Sequence, residues 1–151
     1  MPESTGSRRI ASLRLEANHA AMAALGEFTR GFVLGAGPSA AASVADRMEL
    51  AVHELAVNVA DHAYAGRSGP LAVHLRWDGL AVTAELVDAG SAFDPASATD
   101  PDLDHPRVDG YGLFLVRALV DDLVYRRDDN RNHWTISINI GEPATPAQKE
   151  D

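Results

Sequence analysis

Near Gly69 and Pro70 the hydrophobic period of the chain changes from helical to alternating, and that change limits the folds open to it. Upstream, apolar residues recur at helical spacing. Met22, Leu25, Phe28, Phe32 and Val33 form one stripe, ended by Gly35 and Gly37. Val44, Met48, Val52, Leu55 and Val59 form another, in a run that restarts at Pro38 and Ser39 and stops at Gly66. These stripes predict two amphipathic helices, with Asn18 placed to cap the first. Downstream, Leu71, Val73, Leu75 and Trp77 alternate with other residues, and Leu80, Val82, Ala84 and Leu86 repeat the pattern after Asp78-Gly79. An Asp-Gly pair between alternating runs predicts a hairpin whose two central residues take positive φ. Residues 10–16 read as an edge strand with Leu13 and Leu15 inward. A third helix is expected from Leu113, with Val116, Leu119, Val120 and Leu123 inward. Strands 123–127 and 133–140 follow, joined by a polar turn at 128–132.

Hairpin-paired strands with helices inserted between them predict an α+β fold: a two-layer sandwich of one helical layer on a mixed, mostly antiparallel sheet. A length of 151 residues suits one domain. We expect a flexible leader at 1–9, the folded domain at 10–141 and a flexible tail at 142–151. Residues 91–108 lose all periodicity and carry Pro95, Pro101 and Pro106; such segments are usually lids, binding loops or disordered, and we expect a lid at about 91–109. The net charge of -9 argues against binding a polyanion or an anionic membrane. No apolar run is long enough to cross a bilayer, and the expected location is cytoplasmic. Without cysteine there is no disulfide framework, Cys-type zinc site or thiol nucleophile.

Three segments carry the chemistry. On the second helix Glu54, Asn58 and Asp61 stand at i, i+4 and i+7, beside the apolar stripe rather than opposite it. An amide oxygen is a hard ligand suited to magnesium, and a carboxylate one turn away can accept a hydroxyl proton. Taken alone, such a pair is more often a solvated helix face. Asp88 follows Leu86-Val87 at the end of a strand, where a shielded carboxylate can receive the exocyclic amine of an adenine. Gly90 lets the backbone pass close to a flat ring, although Asp, Gly, Ser and Pro also favour ordinary turns. Gly110 and Gly112 open the third helix, where free backbone N–H groups and the helix dipole favour an anion. Arg107, just upstream, is placed to meet phosphates.

The order and spacing of these segments resemble the GHKL (histidine-kinase-like) ATPase family, with its Glu-x-x-x-Asn helix, Asp-x-Gly turn and Gly-x-Gly helix start. Residues 54–64 (ELAVNVADHAY), Phe93-Asp94-Pro95 and residues 110–116 (GYGLFLV) are similar to its anti-sigma-factor serine/threonine protein kinase branch. The resemblance implies a Bergerat-type ATP-binding fold, with ATP and Mg2+ as cofactors. It implies Asn58 as magnesium ligand and Glu54 as catalytic base toward a serine or threonine hydroxyl. Asp88 and Gly90 would hold the adenine, with Thr135 supporting it. Gly110 and Gly112, with the amides of Tyr111 and Leu113, would cradle the phosphates. His62 matches a position where this branch often has histidine, and is assigned no proton transfer. The substrate implied is a small anti-sigma-factor antagonist, the sequestered partner a sigma factor, and the assembly a homodimer. A nucleotide-responsive binding switch without kinase activity is the alternative reading. Two positions depart from the family pattern: Ala92 replaces the second glycine of the adenine turn, and Asn132-His133-Trp134 replaces a glycine-rich approach to the last strand.

Other motifs fail on spacing. Val57 stands where a zinc-protease helix needs its second histidine. The Asp100, Asp102 and Asp104 run has His105 and Tyr111 where an EF-hand needs glycine and glutamate. No serine lies in a Gly-x-Ser-x-Gly elbow.

Overall fold

The computed structural model describes residues 8–36, 41–94 and 111–140. Most of the expected leader, tail and lid lie outside these residues, as do Arg107 and Gly110. The described elements are β1 (Arg9–Glu16), α1 (Met22–Ala36), α2 (Ala41–Asn58), β2 (Pro70–Trp77), β3 (Ala81–Asp88), α3 (Tyr111–Leu119), β4 (Asp122–Asp128) and β5 (Arg131–Asn139). The five strands form one sheet in the order β1-β2-β3-β5-β4. All four pairings are antiparallel, so the sheet has no parallel component among the described residues.

One face of the sheet carries the helices, and α2 packs between α1 and α3. The inward residues of β2, β3 and β5 are Leu71, Val73, Leu75, Val82, Ala84, Leu86, Ile136 and Ile138, all essentially inaccessible. Against them lie Val44, Met48, Val52, Leu55 and Val59 of the second stripe and Leu25 and Val33 of the first. Burial of each large aliphatic side chain contributes about 1.5–3 kcal/mol, so these stripes, more than local propensity, decide where the helices lie. Phe28 is only half-buried, and Thr29 takes the inward position beside it. The buried Thr29 hydroxyl is satisfied by donating to Leu25 O at 2.8 Å.

Local signals set the boundaries. Asn18 accepts from Ala21 N at 3.0 Å and caps a single 3-10 turn that leads into α1. After Asn58 the second helix widens into a π turn, Val59–Ala63, and the chain then reverses through left-handed Ala65 and Gly66. At the Asp78-Gly79 turn only Gly79 has positive φ, at 92°. Asp78 instead uses its carboxylate to accept from Leu80 N and Ala81 N, which places Leu80 in the turn rather than the strand. The mirror-image turn appears at the other hairpin, where Asp129 and Asn130 have φ of 53° and 58°. Leu123, expected inward from the third helix, belongs to β4. No helix among the described residues is long and apolar enough to cross a membrane.

Candidate functional site

Glu54 and Asn58 lie one turn apart at the end of α2, both half-buried. The first turn of α3 runs past Glu54: a Cβ added at Gly112 would stand 3.4 Å from Glu54 Oε2. Glycine there keeps the space between the helix start and the carboxylate open. Leu113 is buried and anchors this turn, and Tyr111 is the first residue of the helix. Among the described residues, no hydrogen bond or ion pair engages the side chain of Glu54 or Asn58. Asp61, the third member of the expected stripe, leaves it. The π turn rotates it outward, where it is exposed and meets His19 Nε2 at 3.3 Å. His62 on the same turn is also exposed.

The end of β3 is organised differently. Asp88 is 2% exposed. Its Oδ1 accepts from Gly90 N at 2.9 Å and from Asn132 Nδ2 at 2.8 Å, whereas Oδ2 is buried without a partner. Burial pushes this carboxyl above its usual range, opposed by the bonds from Asn132 and Gly90 and by the charges of Arg127 and His133. An orphaned buried acceptor costs about 1–3 kcal/mol, which a donor on a ligand would recover. The fit to an adenine amine rests on this oxygen.

The turn after Asp88 is held from two sides. Tyr64, just past the π turn, accepts from Ala89 N at 2.8 Å and donates to Pro70 O at 2.6 Å. Gly90 lies against the backbone of Ala63, where a Cβ would approach Ala63 O to 2.5 Å. Ser91 N also donates to Ala63 O, at 2.9 Å. From the other side, Asn132 Nδ2 donates to Ser91 O at 2.8 Å and Arg127 Nη1 to Gly90 O at 3.1 Å. Tyr125 accepts from Phe93 N at 3.0 Å, and its ring packs with those of Phe93 and Trp134 at centroid distances of 5.4 and 4.6 Å. Ala92 thus lies in a turn fastened on both flanks.

One expected site residue is misplaced. Thr135 is on the face of β5 away from the helices, opposite Glu85, while Asn132, Trp134, Ile136 and Ile138 point inward. The two-residue period of a strand puts it on the wrong side to support a base at Asp88. Asn132, paired in register with Asp88, takes that place. Inward parity with Trp134, Ile136 and Ile138 is the signal that excludes Thr135, whereas Asn132 is singled out by its register opposite Asp88. Tyr64, Tyr125 and Arg127 carry no comparable local signal.

An incoming magnesium ion would find one uncommitted hard donor in the Asn58 amide, which suffices where phosphates and water complete its shell. Among the described residues no group of three or more His, Asp or Glu could hold a metal on its own.

Comparison with known proteins agrees with the fold. The family model of the histidine kinase-like ATPase domain matches residues 15–138. The serine/threonine-protein kinase BtrW of Bordetella bronchiseptica is 33% identical over 96 residues, which cover 60% of this chain and 67% of that protein. The crystal structure of the RsbU and RsbW domains of Rv1364c from Mycobacterium tuberculosis superposes with a TM-score of 0.64 at 21% identity. That match covers 90% of this chain but only 34% of the other, and it establishes the shared fold. The chain belongs to the histidine kinase-like ATPase domain family, and its likeness to a serine/threonine kinase supports the branch its motifs resemble.

Proposed function

We propose that this chain is an ATP- and magnesium-dependent serine/threonine protein kinase of the anti-sigma-factor type. Its substrate is a hydroxyl of a small antagonist protein, its regulated partner a sigma factor, and it works as a cytoplasmic homodimer. The observation that carries the reading is the approach of Gly112, at the start of α3, to the Glu54 carboxylate. It supports the reading because a helix start, which suits an anion, lies beside a group able to take a proton.

Each residue then has a task. Asp88 Oδ2 accepts the purine amine, and Gly90 keeps the turn close. The first amides of α3 hold the phosphates, helped by the helix dipole. Asn58 holds magnesium, whose charge offsets that developing on the transferred group. Glu54 accepts the proton of the attacking hydroxyl as its oxygen bonds to the γ-phosphorus and the bond to the β-phosphate oxygen breaks, releasing ADP.

Glu54→Gln keeps the shape and removes the base. We expect nucleotide affinity within about twofold of wild type and phosphoryl transfer lowered about 10²–10⁴-fold, read with labelled ATP and candidate antagonist proteins. Transfer at the wild-type rate would remove Glu54 from the mechanism. Tight nucleotide-dependent complexes that never acquire label would favour the binding switch instead.

A further inference from the structure

The Asn132 amide uses its full hydrogen-bonding capacity within the protein. Its Nδ2 donates to Asp88 Oδ1 and to Ser91 O, both at 2.8 Å. Its Oδ1 accepts from the Tyr125 hydroxyl and from Arg127 Nη1, the latter at 2.9 Å. Flipping the amide would turn an oxygen onto two acceptors and the NH2 group onto a guanidinium, so one orientation is fixed. With two donors and two acceptor sites occupied, and 1% exposure, this side chain has nothing left to offer a ligand. Whatever it contributes to recognition passes through Asp88.

We propose that Asn132 is the positioning residue for base selection, holding the Asp88 carboxylate so that one oxygen alone meets a 6-amino purine and a 6-oxo purine is turned away. The inference rests on the nucleotide-binding reading above and adds how the base is chosen. The Asp88 Oδ1 atom is saturated by Gly90 N and Asn132 Nδ2, leaving Oδ2 as the buried free acceptor. An amine donates to that oxygen, whereas a 6-oxo group presents a second acceptor to a carboxylate and is repelled.

The groups facing Asp88 explain why Asn132 decides the outcome. They are Asn132 and His133 from β5, Arg127 from β4, Gly90 N from the following turn and the Tyr64 hydroxyl beyond the π turn. Burial works to keep the proton on the carboxyl, and the bond from Asn132 is the largest influence against it. Without that bond the carboxyl holds its proton to higher pH and turns from acceptor to donor, which a 6-oxo group accepts.

The test compares Mg-ATP with Mg-ITP, which carries a 6-oxo base and no 2-amino group, by calorimetry between pH 5.5 and 8. The proteins are wild type, Asn132→Ala, Asp88→Asn and the double variant. Asn132→Ala should cut the ATP-to-ITP affinity ratio about tenfold or more and move the acid limb of ATP binding to higher pH. In the Asp88→Asn background the same substitution should leave the ratio unchanged. Equal weakening of both nucleotides, with ratio and acid limb intact, would make Asn132 merely structural and overturn the proposal. If Asn132→Ala does not fold, Tyr125→Phe, which removes a donor to Asn132 Oδ1, should shift the ratio in the same direction; an unchanged ratio there overturns it equally. Wild-type protein that binds neither nucleotide would instead refute the nucleotide-binding reading beneath it.

Discussion

At the β3 end of the candidate cleft, polar atoms are tied to one another across four elements; at the α2–α3 end, Glu54 and Asn58 are tied to nothing among the described residues. The first end has its shape before any ligand arrives, with one carboxylate oxygen left over. The second keeps a carboxylate and an amide without side-chain bonds among the described residues, available to the phosphates, metal and hydroxyl proposed to meet there. Recognition gains from preorganisation, since little ordering remains to be done on binding. A site that must change partners during group transfer gains from side chains with no competing bonds. If this division holds, substitutions that break the β3-end network should appear chiefly as lost stability, those that alter only its spare carboxylate oxygen as lost recognition, and those at the α2–α3 end as lost turnover.

The largest effect is expected for Asn132→Asp. It sets a second carboxylate against Asp88 in a site where both side chains are almost inaccessible. We expect a loss of about 3–5 kcal/mol near neutral pH in denaturant unfolding, partly recovered in acid as the pair takes up a shared proton. A loss below about 1 kcal/mol would mean that the network adapts easily and the contrast between the two ends is overstated. Gly90→Ala comes next. The added methyl meets the Ala63 carbonyl, part of the backbone rather than a side chain that can swing away. The expected cost is about 1–3 kcal/mol, with nucleotide affinity lowered as the turn shifts.

Asp88→Asn separates stability from recognition. Burial raises the folded pKa of this acid above the unfolded reference of 3.8. A raised acid holds its proton more tightly when folded, so its ionisation subtracts stability as pH rises from that reference through the folded value. The amide removes the titration. Nucleotide-free variant should therefore melt no lower than wild type at pH 7, and its stability should decline less across that acidic window. Mg-ATP should raise the melting temperature of wild type by more than that of the variant. A variant that is less stable than wild type and stabilised by Mg-ATP just as strongly would contradict the assignment of Oδ2.

The fold was legible because its determinants are local and periodic: the two helical stripes, the alternation of β2 and β3, and the Asn18 cap lie within short stretches of chain. The two hairpin turns show the limit. Asp-Gly promised a turn with both residues left-handed, but the Asp78 carboxylate found two backbone donors and settled the geometry another way. As candidates, Glu54, Asn58, Asp88, Gly90 and Gly112 could be picked out because each stands at or near the end of an element, at a spacing with chemical meaning. Asn132, Tyr125 and Tyr64 were not, since their roles come from cross-strand register and from a π turn that no spacing rule anticipates. Thr135 failed on parity alone, one residue away from the inward face.

The smallest stability change, and the sharpest test of the contrast, is Gly112→Ala. It is chemically the same substitution as Gly90→Ala, made at the other end of the cleft. Here the new methyl lies 3.4 Å from a carboxylate oxygen and 4.0 Å from the Glu54 carbonyl oxygen, both ordinary contacts. Alanine also suits a helix better than glycine by about 0.5–1 kcal/mol, so stability should hold or rise slightly. Turnover should not be spared. The methyl occupies the gap between the α3 start and Glu54, where the hydroxyl and the γ-phosphate are proposed to meet, and displacement of reacting groups is costly. We expect phosphoryl transfer to fall about tenfold or more while the melting temperature stays level. If Gly112→Ala instead resembles Gly90→Ala, losing stability and activity together, the α3 start is held as firmly as the β3 turn and the two ends follow one plan. If neither quantity moves, the approach of Gly112 to Glu54 has no part in the chemistry.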